Sequence, residues 1–178
     1  AGRGAAGMRN AIWLIGFRAA GKTTVGRLLA KDLGWRFLDL DEELEKRIGC
    51  SILELVEKKG ETFFRAREAD LLKEIVAMPE DGLVVATGGG FVDYEPSFEL
   101  VAKSSWPKAW LDPPAELLWE RLVHFPNRRK IGSLSNFSRL AAMLKKRRPA
   151  YEKIATFRTE SRDISDCLAQ LKIAINEP

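Results

Sequence analysis

Gly16-Phe17-Arg18-Ala19-Ala20-Gly21-Lys22-Thr23 spells G-x-x-x-x-G-K-T between an apolar run, Ala11–Ile15, and an amphipathic stretch, Thr24–Leu33. A strand that turns into a helix through these letters forms a phosphate loop. Gly16 and Gly21 permit the turn, backbone N–H groups and the helix N-terminus surround phosphate oxygens, Lys22 neutralises their charge, and Thr23 offers a hydroxyl to Mg2+. Candidate nucleotide contacts are therefore Gly16, Ala19, Ala20, Gly21, Lys22, Thr23 and Thr24. A Gly-rich turn that binds nothing would need neither the strand before it nor the helix after it, so the expectation is a nucleotide-binding phosphotransferase.

The 178 residues, 46% hydrophobic and 30% charged, suit one domain with a full core and leave little room for a second. Ala1–Gly7, small and Gly-rich, reads as an expression remnant or loose arm, leaving residues 8–178 as the domain. Ala11–Ile15 is far too short for a signal-peptide core or a membrane span, so a cytoplasmic protein without a membrane partner is expected. Cys50 and Cys167 lack metal-type spacing and read as free thiols. The net charge of +4 is unevenly spread: Arg121–Arg158 is rich in Lys and Arg, with Glu152 its single acid. That segment is either a solvated basic face or a surface that closes over phosphates. No basic motif interleaved with aromatic residues occurs, and no nucleic-acid partner is expected.

Short β-rich runs alternate with helix-period segments. Strands are predicted at Ala11–Ile15, Arg36–Asp39, Leu83–Ala86, Ala109–Leu111 and Phe157–Thr159; helices at Thr24–Leu33, Asp41–Arg47, Ser51–Lys59, Thr62–Ala77, Glu95–Val101, Pro114–Arg121, Ser138–Arg147 and Ile164–Ile175. Such alternation implies an α/β fold with parallel strands and crossover helices. Ligands in such sheets sit beyond the carboxyl ends of the strands, which directs attention to Asp39-Leu40-Asp41 and Thr87-Gly88-Gly89-Gly90.

At the strand-to-helix junction an extended backbone would send Asp39 and Asp41 to one side, one facing Mg2+ and the other an acceptor hydroxyl; the plain alternative is that Asp41 caps a helix. Gly88-Gly89-Gly90 would permit positive φ angles and close approach of a ligand to backbone N–H groups. Arg65 could be solvated or paired with Glu61 or Glu68. Arg147 shares a helical stripe with Leu140 and Leu144 and so wants a buried anionic partner, while Pro149 should push Arg148 out of helical geometry. Pro126–Phe137, polar and aperiodic, carries Arg128, Arg129 and Lys130 and reads as a lid or as an ordinary surface loop. His124 reads as solvated or half-packed, and Trp13, Trp35 and Trp110 as packing residues.

With Gly60-Glu61-Thr62-Phe63-Phe64-Arg65 and Arg147-Arg148-Pro149-Ala150-Tyr151 added to the motifs above, in this order, the chain from Asn10 to Arg158 resembles the shikimate kinase family. The resemblance implies a three-layer P-loop kinase fold, with a five-stranded parallel sheet of order 2-3-1-4-5, flanking helices and a lid at about 124–137. It implies ATP and Mg2+ as cofactors, shikimate as acceptor, transfer of the γ-phosphoryl group to the 3-hydroxyl, and a monomer serving chorismate and aromatic amino acid biosynthesis. Carried over, Lys22 looks like the phosphate lysine, Thr23 and Asp39 like the metal site, and Asp41 like the group that holds the acceptor hydroxyls. Arg65 and Arg147 resemble the pair that grips the carboxylate, Gly88, Gly89 and Gly90 the pocket backbone, Arg129 (or Arg128) the lid arginine, and Arg121 and Arg162 adenine-side contacts. The chain departs from the family at Arg129-Lys130-Ile131-Gly132, where the lid signature reads Arg-Pro-Leu-Leu, and at Ala19, where glycine is frequent. A kinase for another small hydroxy acid or polyol, or a non-catalytic nucleotide-binding regulator, stays open at this point.

Overall fold

The structure is a computed structural model that describes residues 11–79, 81–125 and 134–176. The expected arm at Ala1–Gly7 and the residues expected to form the lid, Arg128, Arg129, Lys130, Ile131 and Gly132, lie outside the described residues. Five parallel strands form one sheet of order β2-β3-β1-β4-β5, with β1 at Ala11–Ile15, β2 at Arg36–Asp39, β3 at Leu83–Ala86, β4 at Lys108–Leu111 and β5 at Phe157–Thr159. The helices are α1 (Lys22–Leu33), α2 (Leu40–Ile48), α3 (Ile52–Lys59), α4 (Glu61–Val76), α5 (Glu95–Lys103), α6 (Ala115–Val123), α7 (Phe137–Ile154) and α8 (Ile164–Asn176), with a 3-10 turn at Phe91–Asp93 that the sequence reading missed.

The sheet buries both faces, and the period of two along each strand divides the core. Ala11, Trp13 and Ile15 of β1 face one layer with Leu83, Val85 and Trp110, where Leu40, Phe64, Leu72 and Tyr151 pack. Ile12 and Leu14 face the other with Val84, Ala109 and Leu111, against Val25, Leu29, Leu118, Leu140 and Leu171. Trp13 stacks on Trp106 with ring centroids 5.0 Å apart, and Trp13 and Trp110 are fully buried, which makes them packing residues as expected.

Pro149 does not end its helix, contrary to the expectation drawn from it: α7 continues to Ile154. A proline inside a helix costs about 3 kcal/mol. Contacts on both sides of it outweigh that cost here. Leu140 and Leu144 enter one core layer and Tyr151 the other, Arg147 and Arg148 pair with Asp93 and Asp112, and the Tyr151 hydroxyl donates to the Gly89 carbonyl.

Register positions the site. Asp39 pairs with Ala86, and Ala86 with Leu14, so three adjacent strands end side by side. The residues that follow, Leu40-Asp41, Thr87-Gly88 and Ile15-Gly16, therefore emerge together at one edge of the sheet.

Candidate active site

Gly16 and Gly21 hold φ angles of 143° and 100°, conformations that side chains rarely adopt, and Gly21 is the N-cap of α1. The loop thus presents the start of α1 without a side-chain cap, the arrangement suited to an anion. Ala19 stands at φ 63°, a left-handed position that costs a Cβ-bearing residue about 1 kcal/mol. Lys22 is 7% exposed, and its Nζ donates to the carbonyls of Gly16 and Phe17 at 2.8 Å each.

Asp39, rather than Asp41, caps a helix. Its Oδ1 accepts from the backbone N–H groups of Asp41 and Glu42 at 3.0 and 3.1 Å, because α2 begins at Leu40, one residue earlier than expected. Asp39 therefore sits at the extended end of β2, as expected, whereas Asp41 is placed by the first turn of α2 rather than by an extended strand. The other oxygen, Oδ2, accepts from the Thr23 hydroxyl at 2.5 Å. Thr23 and Asp39 are thus two oxygen donors in contact beside the phosphate loop, a set that fits a hard cation such as Mg2+.

Glycines after β3 serve close approach alone. None of Gly88, Gly89 and Gly90 has a positive φ, which corrects that part of the sequence expectation. A Cβ on Gly88 would lie 2.7 Å from Glu68 Oε1 and 2.9 Å from Asp41 Oδ1; one on Gly89 would lie 2.6 Å from the Arg18 nitrogen. A Cβ on Gly90 would strike the Arg65 guanidinium and come within 3.1 Å of Arg147 Nη2. The absent side chains at Gly88 and Gly90 make room for charged groups, and that at Gly89 for the backbone of the phosphate loop.

Arg65, Glu68 and Arg147 are buried, and Asp41 is half-buried. Arg65 donates to Glu68 Oε2 at 2.9 Å and lies 3.5 Å from Glu61, so the neighbour pairing expected of it occurs, yet it also faces the cavity. Arg147 meets its anion in Asp93, donating through Nε and Nη2 at 2.8 and 2.6 Å, and its guanidinium lies over the Phe17 ring. Among the described residues, Arg65 Nε, Arg147 Nη1 and Glu68 Oε1 have no hydrogen-bond partner although all three are buried. Burial, and then the nearby Asp39, raise the Asp41 carboxyl from 3.8 to about 6. Burial likewise raises Glu68 to about 7, against the pull of Arg65.

One cavity of about 550 Å³ joins these parts: Lys22, Thr23, Asp39, Asp41, Arg65 and Gly88–Gly90 all line it, with Ala19, Gly21, Thr24 and Arg121. Arg147 stands buried behind Gly90 rather than on the wall, while Gly16 and Ala20 belong to the loop's inner side. Arg121 donates to the Ala19 carbonyl at 2.9 Å and so clasps the phosphate loop. The Arg162 side chain is exposed and does not line the cavity; its carbonyl accepts from Arg121 at 3.5 Å. His124 is exposed at the end of α6, as expected.

Glu68, Asp93 and Arg18 were missed as site residues. Glu68 was legible: Phe64, Glu68, Leu71, Leu72 and Ile75 form one buried stripe of α4, the same signal that singled out Arg147. Asp93, on a short 3-10 turn, carries no periodic signal.

Comparison with known proteins agrees with this geometry. The sequence model of the shikimate kinase family matches residues 18–174. Among curated relatives, the shikimate kinase of Acinetobacter baumannii strain AYE is 38% identical over 165 residues, covering 90% of either chain. That of Macrococcus caseolyticus is 34% identical over 159 residues, covering 89% of this chain and 92% of its own. The solved structure of shikimate kinase from Acinetobacter baumannii in complex with shikimate superposes with a TM-score of 0.84 at 34% identity, covering 95% of this chain and 96% of the other.

Proposed function

The chain belongs to the shikimate kinase family, and from that membership we propose that it transfers the γ-phosphoryl group of ATP to the 3-hydroxyl of shikimate, giving shikimate 3-phosphate and ADP. The observation that carries the proposal is the set of unpartnered buried atoms around Gly88–Gly90. Arg65 Nε and Arg147 Nη1 are donors suited to a carboxylate, and Glu68 Oε1 is an acceptor suited to a hydroxyl, all beside the phosphate loop. An unsatisfied buried polar atom costs about 1–3 kcal/mol, so three in one place are best explained by a polar ligand.

In this reading Arg65 and Arg147 grip the carboxylate of shikimate and so fix which hydroxyl meets Asp41. Asp41 accepts a hydrogen bond from that hydroxyl and, with an affinity for protons raised by burial, is able to take its proton as the bond to phosphorus forms. Lys22 and the N–H groups at the start of α1 hold the phosphates and offset charge on the transferring group. Mg2+ bound through Thr23 and Asp39 would neutralise further phosphate charge. Arg121 steadies the loop from the adenine side. The segment at about 124–137, with Arg128 or Arg129, is proposed as the lid that excludes water. Among the described residues no helix is long and apolar enough to cross a membrane. A cytoplasmic monomer acting on the route to chorismate and the aromatic amino acids completes the proposal.

The test is ADP release by purified protein with ATP and Mg2+ across a panel: shikimate, analogues lacking its carboxylate or its 3-hydroxyl, and unrelated polyols. Shikimate should give the highest kcat/KM, with both analogues near background. Preference for another acceptor would transfer the activity to it, and ATP binding without transfer to any acceptor would favour a regulator.

A further inference from the structure

Arg18 lies within the phosphate loop and lines the cavity. The loop backbone at Arg18 runs against Gly89, and the next residue, Gly90, is flanked by the guanidinium groups of Arg65 and Arg147. Arg147 in turn lies over the ring of Phe17, the residue before Arg18, at 5.3 Å. Lys22 of the same loop directs its ammonium elsewhere, onto the carbonyls of Gly16 and Phe17.

Resting on the reading given above, we propose that Arg18 is a further acceptor-binding residue, a third guanidinium that binds the carboxylate of the acceptor and selects anionic over neutral polyols. Burial, then the charges of Arg147 and Arg65, lower the Arg18 guanidinium to about 10, opposed by Asp41, so it stays cationic at neutral pH while three like charges crowd one end of the site. A carboxylate placed among them relieves that repulsion, which makes acceptor binding and local electrostatics one event.

The experiment compares the full-length parent with R18M and R18Q, measuring KM for shikimate and for ATP, shikimate binding by calorimetry, and the thermal midpoint without ligands. Loss of a charge-assisted contact predicts a rise in the shikimate KM of about tenfold or more, an unchanged ATP KM, and an unliganded midpoint that holds or rises. A shikimate KM equal to the parent's in either folded variant, or a defect that falls on ATP instead, would overturn the proposal. A parent that binds and phosphorylates no shikimate would instead overturn the functional reading beneath it, so the two failures are distinguishable.

Discussion

Asp41 is a carboxylate held where charge is unfavourable. Its folded-state pKa of about 6 lies above the ordinary 3.8, so between those values the folded protein binds a proton that the unfolded chain has released. Stability from this group is therefore full below about 3.8, falls as pH rises, and is lost above about 6. Asp41→Asn should raise the thermal midpoint at pH 7.5, by an amount equivalent to about 3 kcal/mol at most, with the gain shrinking toward zero near pH 4. The same variant should abolish turnover, and the parent's turnover should fall below about pH 6 as Asp41 takes up its proton. Unfolding curves for both proteins across pH check the sign: an Asn variant less stable than the parent at pH 7.5 would mean that Lys22, Arg65 and Arg18 outweigh burial. At this scale the sequence was legible wherever one residue type has one use. Lys22 in its motif and Arg147 on an apolar stripe were identified from their positions alone. Asp93 was not, because a partner 54 residues away in the chain is chosen by the fold and leaves no local mark.

The junction between β2 and α2 combines support and chemistry in Asp39, and substitutions can separate them. Asp39→Ala removes the cap and should cost about 1–2 kcal/mol in denaturant unfolding as well as most Mg2+-dependent turnover. Asp39→Asn keeps a side-chain oxygen for the cap, so it should stay near parental stability while losing the turnover that depends on a charged ligand. Equal destabilisation by both would show that the cap is not what Asp39 contributes. Element types were readable from periodicity, and several strand limits agree to the residue, because β1, β3 and β5 each run from one polar or Gly boundary to the next. The extent of α7 was not readable. Pro149 argues locally for a break, while Tyr151 and the arginine pairs on either side hold the helix through tertiary contacts that no window of sequence contains. The glycines after β3 were located correctly but for half the reason: they yield space to the side chains of Glu68, Asp41 and Arg65 and to the backbone at Arg18, not a turn of unusual φ.

Across the whole molecule, sheet order converts three separate sequence motifs into one site. With β3 between β2 and β1, the cap at Asp39, the glycines after Thr87 and the phosphate loop leave the same edge in register and enclose one cavity. On the proposed reading, a phosphate cradle and an acid-binding pocket that face each other need little further chemistry, since phosphoryl transfer depends chiefly on position and on charge placed beforehand. The central claim is spatial, and a crystal structure of the protein with shikimate and ADP tests it most directly. The account predicts the shikimate carboxylate within hydrogen-bond distance of Arg65 and Arg147, its 3-hydroxyl at Asp41, and that hydroxyl directed toward the ADP phosphates in the loop at Lys22. Shikimate bound outside this cavity, or with its carboxylate toward Lys22 and its hydroxyls at Arg147, would contradict it.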